Sequence, residues 1–236
     1  MTSPIAICIH GGCGTLQRHL QSDDAWLEGR MHLAEALRAG WRVLSSGGSS
    51  IDAVEAAVVS LEDSPHFNAG VGSVLNEDGH HELDASIMEG KHLAAGAVCA
   101  VRRTRHPVAA ARAVLEHSGC VLIAGAAADT FAERRGLEIV DNAFFTTPQR
   151  VQSLAALKQR NALGTIAAAT EAEKHGTVGA AALDVSGTLA AATSTGGFTN
   201  KPVLRSLHAL CRPLRSRWTI ARAAAAMRPC SFDFVA

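Results

Sequence analysis

The chain has no tyrosine, and aromatic residues make up only 4% of its 236 positions. A base-stacking surface for nucleic acid is therefore poorly supplied. Excess charge is missing too: Lys+Arg and Asp+Glu both number 22, so the formal net charge is zero and there is no general attraction to a polyanion. No basic stretch followed by a long apolar run opens the chain, so a secretory leader is not expected. No apolar run reaches the length of a membrane span, despite many alanines. None of the six cysteines (Cys8, Cys13, Cys99, Cys120, Cys211 and Cys230) forms a C-x-x-C pair. Reduced, buried thiols in a cytoplasmic protein are the expected reading, rather than disulfides or zinc. All 21 glycines lie before residue 203.

What is present can fill a core, since 47% of the residues are hydrophobic. Pro4 to Ile9 reads as a short buried strand ending in the flexible His10-Gly11-Gly12-Cys13-Gly14 turn. Residues 24–46 carry apolar positions at helical spacing and stop at Gly47-Gly48. A second helix starts with Ser49 or Ser50 as cap and runs to about Leu61; residues 62–73 form a loop. Strands are expected near 81–88 and 92–101 around Glu89-Gly90-Lys91, then a helix from Pro107 to about 117, a strand at Cys120–Ala124, and helices at 126–136 and 148–159. Residues 160–176 read as an alanine-rich linker. Two more strands, 177–183 and 188–194, flank the turn Asp184-Val185-Ser186-Gly187. Mixed sheet with helices on the outside is the expected class, α+β.

The chemistry centres on His175-Gly176-Thr177-Val178-Gly179 and Thr193-Ser194-Thr195-Gly196-Gly197. A threonine hydroxyl is a poor nucleophile without a base beside it. One economical base is the threonine's own α-amino group, which exists only if the preceding peptide bond is cut. Gly176-Thr177 has the form of such a cut site: a small, permissive residue leads into a Thr that opens an apolar run. The bland alternative is a β-branched residue starting a strand. If the hairpin forms, Thr195 comes beside Thr177; its alternative is an ordinary Ser/Thr turn. Gly196 and Gly197 would let backbone approach a substrate closely.

These segments, with Ile9-His10-Gly11-Gly12 and the loop Phe67-Asn68-Ala69-Gly70-Val71-Gly72, resemble the plant-type asparaginase and isoaspartyl peptidase family of N-terminal-nucleophile hydrolases. The resemblance runs from about Ile5 to Pro202. It implies a four-layer αββα sandwich, incomplete here at its C-terminal end, in which 1–176 correspond to the α-subunit-like part of a self-cleaving precursor and 177–202 to the start of the β-subunit-like part. It implies Thr177 as nucleophile and base, Thr195 as its hydrogen-bonding partner, and Asn68 as a site residue, which could otherwise be an Asx turn. The substrates implied are asparagine or small isoaspartyl peptides, and the assembly a dimer of cleaved heterodimers. No cofactor is implied for catalysis. A structural sodium ion is, held by backbone carbonyls at Leu61, Glu62, Ser64, Phe67, Ala69 and Val71; carbonyl oxygens suit a hard cation.

Arg205 falls at the offset where the family places its substrate-carboxylate arginine, but Ser206-Leu207-His208 follows in place of Gly-Asp. Residues 203–236 hold six arginines, one acid (Asp233) and the run Ala223–Ala226. They lack the family's Gly-Arg-x-Gly-Asp and Thr-Gly-x-Gly-Glu segments, and read as an aberrant tail of the kind an out-of-frame GC-rich gene produces. The competing functional reading is accordingly an inactive, truncated family member, or a partner of an intact homologue. Three further patterns take bland readings. His80-His81-Glu82-x-Asp84 is read as a turn and strand edge rather than a metal site. Gly11-Gly12-x-Gly14 lacks the third glycine of a dinucleotide loop. Arg102-Arg103-x-Arg105 is read as a solvated turn.

Overall fold

A computed structural model of the chain describes residues 4–12, 22–162 and 176–202. The elements follow the local chemistry of the sequence closely. Strand β1 (Ala6–His10) leads to α1 (Asp23–Ser45), whose N-cap Ser22 accepts a hydrogen bond from the Ala25 N–H. Helix α2 (Ser50–Glu62) is capped by Ser49, which accepts from the Asp52 N–H. Strands β2 (Leu83–Glu89) and β3 (Ala94–Val101) form the hairpin expected around Gly90. Helix α3 (Pro107–His117) opens on its proline, and β4 (Leu122–Ala124), α4 (Ala126–Arg134) and α5 (Pro148–Ala162) follow. A 3-10 turn, Asn142–Phe145, has no counterpart in the sequence pattern. Strands β5 (Val178–Leu183) and β6 (Leu189–Thr195) complete the fold. The stretch expected as a linker is partly helical, because α5 continues to Ala162; the remainder of it up to His175, like 203–236, lies outside the described residues.

All six strands join one mixed sheet in the order β1-β5-β6-β2-β3-β4, antiparallel except for the β3–β4 pair. Its interior is unusually rich in alanine. Ala85, Ile87, Val98, Val101, Val178, Ala180, Ala182, Ala190 and Ala192 turn towards a helix layer built on α2 and α3, and with Val54, Val58, Leu61, Val108 and Val114 they form the main core. Because strand residues alternate in direction, the opposite face carries Cys8, His10, Gly179, Ala181, Ala191, Thr193, Thr195, Ser86, Ala97 and Cys99. Of that set, Ala97 and Cys99 form a second small cluster with Leu122. The described residues therefore build one mostly antiparallel sheet with α2 and α3 on one face, an α+β arrangement that fits half of the expected sandwich; a second sheet is not among them.

Three expectations are revised. The segment at 81–84 is not a strand edge: β2 lies between β6 and β3, and His81, Glu82 and Asp84 are all buried. Cys8 and Cys120 are exposed, so of the described cysteines only Cys99 is a buried thiol; all three are free. The Arg102–Arg105 turn is paired rather than merely solvated, Arg102 with Glu82 and Arg105 with Glu138 and Asp63. Among the described residues no helix is long and apolar enough to cross a membrane.

Candidate active site

Strands β5 and β6 bring the two threonines together. Their register pairs Val178 with Ser194, so one step further along the ladder Thr177 stands opposite Thr195. In the β6–β2 ladder Thr195 pairs in turn with Asp84. Alternation places Thr177, Thr195 and Asp84 on the sheet face that turns away from the helices. Both threonines are half-buried, which leaves the hydroxyls reachable.

The bond expected to be cut is flanked by the loop that follows β1. The Gly176 Cα lies 3.4 Å from where a Cβ on Gly12 would be. His10 pairs with Gly179 in the β1–β5 ladder, and its ring covers that glycine, with Nε2 2.5 Å from the position of a Gly179 Cβ. Burial lowers the His10 pKa, and a hydrogen bond to the Thr177 backbone opposes the shift. The sequence pattern assigned His10 no role, although it lies beside the threonine.

Thr195 makes the Ser/Thr turn that was its bland alternative, its Oγ1 accepting the Gly197 N–H at 3.0 Å. Acting as an acceptor leaves the hydroxyl proton available for donation, so the turn fixes the side chain without exhausting it. Asn68 makes no mere local turn. Its Oδ1 accepts the Val74 N–H at 3.0 Å, its Nδ2 donates to the Gly197 carbonyl at 2.7 Å, and its own carbonyl accepts the Gly196 N–H at 3.1 Å. Loop 67–74 is thereby laced to the turn after β6. Gly196 is needed for this contact, because a Cβ there would lie 2.7 Å from Asn68 Oδ1 and 2.8 Å from Ser73 Cβ.

Beneath the turn lies Lys201, which sequence reasoning did not single out, beside Glu82 and Asp84. Lys201 is 2% exposed, and its ammonium donates to the Glu82 carbonyl at 2.9 Å and stands 3.9 Å from the Glu82 carboxylate. Burial raises the Asp84 pKa against the pull of Lys201, and lowers that of Lys201 against Asp84 and Glu82. Burial, assisted by Asp84, pushes the Cys99 thiol up to about 12, so it is no nucleophile. A lone lysine after two strands gives no periodic signal, and only the tertiary fold shows its surroundings.

The loop expected to hold sodium closes on itself. Val71 N–H donates to the Glu62 carbonyl at 2.7 Å, and Gly70, at φ +48°, packs so tightly on that carbonyl that a Cβ would lie 2.3 Å away. Of the six expected carbonyls, that of Leu61 also accepts an N–H, from Ser64 at 3.3 Å. Side-chain metal chemistry has no support: no group of three His, Cys, Asp or Glu among the described residues could hold an ion. Arg205 lies outside the described residues.

On the sheet face turned away from the helices, a half-buried threonine behind a glycine thus stands opposite a second threonine. The asparaginase family model matches residues 3–205, and the chain belongs to that family. It is 46% identical to the isoaspartyl peptidase of Salmonella typhimurium over 198 residues, covering 83% of this chain and 63% of the relative. The Escherichia coli isoaspartyl peptidase is likewise 46% identical, over 83% of this chain and 62% of its own length. The human isoaspartyl peptidase/L-asparaginase is 41% identical over 86% of this chain. The chain spans about 63% of the length of the relatives it matches.

Proposed function

We propose that the chain is a self-cleaving threonine amidohydrolase that acts on L-asparagine, on small isoaspartyl peptides, or on both. The observation that carries this reading is the juxtaposition of Gly176–Thr177 with Thr195 across the β5–β6 ladder. In the uncut chain the Thr177 hydroxyl adds to the Gly176 carbonyl carbon and the C–N bond breaks. That break frees the Thr177 α-amine and leaves the Gly176 acyl group as an ester on Oγ; water then hydrolyses the ester to the Gly176 carboxylate and the free hydroxyl. That amine has an ordinary pKa of about 7.7–8.0 and serves as base at neutral pH. It takes the hydroxyl proton as Oγ attacks the side-chain amide carbon of a substrate. The leaving amine departs with a proton, and water releases the acid. Thr195 supports the rotamer of Thr177 through its hydroxyl, and Asn68 holds the Gly196–Gly197 turn against which the substrate lies. Arg205 is assigned to the substrate carboxylate.

A sodium ion would be held by the carbonyls of Leu61, Glu62, Ser64, Phe67, Ala69 and Val71. Its chemistry there is structural, fixing the backbone of the loop that carries Asn68. The mature form is assigned as a dimer of cleaved heterodimers in the cytoplasm.

Intact mass of the freshly purified protein, beside a Thr177→Ala control, tests the reading. Two fragments meeting at Gly176 and Thr177, absent from the control, are the expected result, followed by release of ammonia from asparagine. A single uncut chain in both samples would favour a non-catalytic family member.

A further inference from the structure

Lys201 is a buried cation beside the Thr195–Gly197 turn that the reaction outlined above does not use. A buried ammonium is costly unless it is paired and hydrogen-bonded, so its position calls for an account. Three contacts define it. Its Nζ donates to the Glu82 backbone carbonyl at 2.9 Å, just before β2 begins. Its side chain lies along Gly197, with both Cδ and Nζ 3.3 Å from where a Cβ would stand; Gly197 itself adopts φ +81°. Its charge also faces Asp84, the direct ladder partner of Thr195.

The surrounding groups explain why a cation is needed there. The Asp84 carboxylate accepts the Ala100 N–H at 2.8 Å, where the β2–β3 register slips and Ala100 takes φ +54°. Arg102 pairs with Glu82 at 2.6 Å from the more exposed side. Lys201 reaches from this acidic pair to the turn that carries Gly196 and Gly197.

We infer that Lys201 is a positioning residue of the threonine site, tying the Thr195–Gly197 turn to the start of β2 so that the Thr195 hydroxyl and the Gly197 backbone are held against Thr177. The inference rests on the self-cleavage reading above. Lys201 touches neither the scissile bond nor a reacting atom, and acts through the turn.

The test compares Gly176–Thr177 cleavage in the full chain with that in Lys201→Met and in the double variant Lys201→Met/Asp84→Asn, with thermal unfolding followed for each. Methionine alone leaves the buried Asp84 charge unbalanced and can lower stability; the double variant removes that charge as well, keeps an acceptor for the Ala100 N–H and leaves the Arg102–Glu82 pair intact, so stability is expected to recover. The expected result is cleavage at least 100-fold slower in both variants, including the refolded, stable double variant. If cleavage returns to within about threefold of wild type once stability is restored, Lys201 is only a structural counter-ion and the inference is overturned. If the Met variant unfolds completely, the double variant alone decides. An uncut wild-type chain overturns the self-cleavage reading itself and the inference with it, and is told apart from the second outcome by the wild-type lane.

Discussion

At the scale of single residues, burial rather than sequence pattern decides what each polar group can do. His81 is the clearest case. It is fully buried, with Nδ1 2.9 Å from Ser73 Oγ and Nε2 2.9 Å from Thr146 Oγ1, and burial lowers its pKa to about 4. In the unfolded chain the same imidazole titrates near its ordinary value of ~6.5. Between these values the unfolded form binds a proton that the folded form does not. The contribution is therefore fully present above pH 6.5 and declines as pH falls towards 4, by up to about 3 kcal/mol. Chemical denaturation at pH 7 and pH 4.5 should show this loss in the wild type and a smaller one in His81→Gln. The pattern His80-His81 revealed only that the two side chains point apart; that one is sealed between Ser73 and Thr146 depends on the 3-10 turn at 142–145, which no periodicity announces. Asn68 behaves alike: its cross-brace to Gly197 was not legible, because the two residues lie 129 positions apart in sequence.

At the scale of elements, local signals served well. The cap Ser49, the helix-opening Pro107, the hairpin at Gly90 and the turn at Asp184–Gly187 all come from short-range preferences that tertiary packing had no reason to overturn. What short-range chemistry could not give was how the turns join the helices. Asp184 shows this: its Oδ2 accepts the N–H of Ser50, in the first turn of α2, at 2.9 Å, while Oδ1 accepts from Ser186 N, Ser186 Oγ and Thr188 N. These bonds hold its carboxyl at about 2 despite burial. One carboxylate thus closes its own hairpin and satisfies the end of a helix 134 residues away. Asp184→Ala should cost about 2–3 kcal/mol, read as a shift of the denaturant midpoint with little change in slope. The wild-type contribution should survive down to about pH 4 and be lost only as pH falls towards 2.

At the scale of the whole molecule, the family resemblance supplied the layered architecture that periodicity could not, and neither named which strands beyond the hairpins lie side by side. The order β1-β5-β6-β2-β3-β4 inserts the last two strands in sequence between the first and the second. No hydrophobic pattern encodes that choice. It follows from which alanine-rich strands fit the faces of α2 and α3, and an alternation of alanines is nearly silent about partners. The same order explains why the threonine pair was legible in part: β5 and β6 are neighbours in sequence as well as in space, so a hairpin argument reached them, whereas Asp84 and Lys201 needed the distant β2.

If Gly176–Thr177 is cut as proposed, the insertion of β5 between β1 and β6 changes the thermodynamics of the protein at that moment. Before the cut, folding is a unimolecular event, and the chain itself brings β5 to β1. Afterwards β5 belongs to a different polypeptide from β1, although its hydrogen bonds on both sides are untouched. The two pieces should migrate as one species in native conditions, yet once denatured they must find each other again. Refolding yield should then depend on protein concentration for the cut protein and not for Thr177→Ala, measured by dilution from denaturant over a hundredfold range of concentration. Cleavage thus converts an equilibrium fold into one that persists because its parts do not come apart.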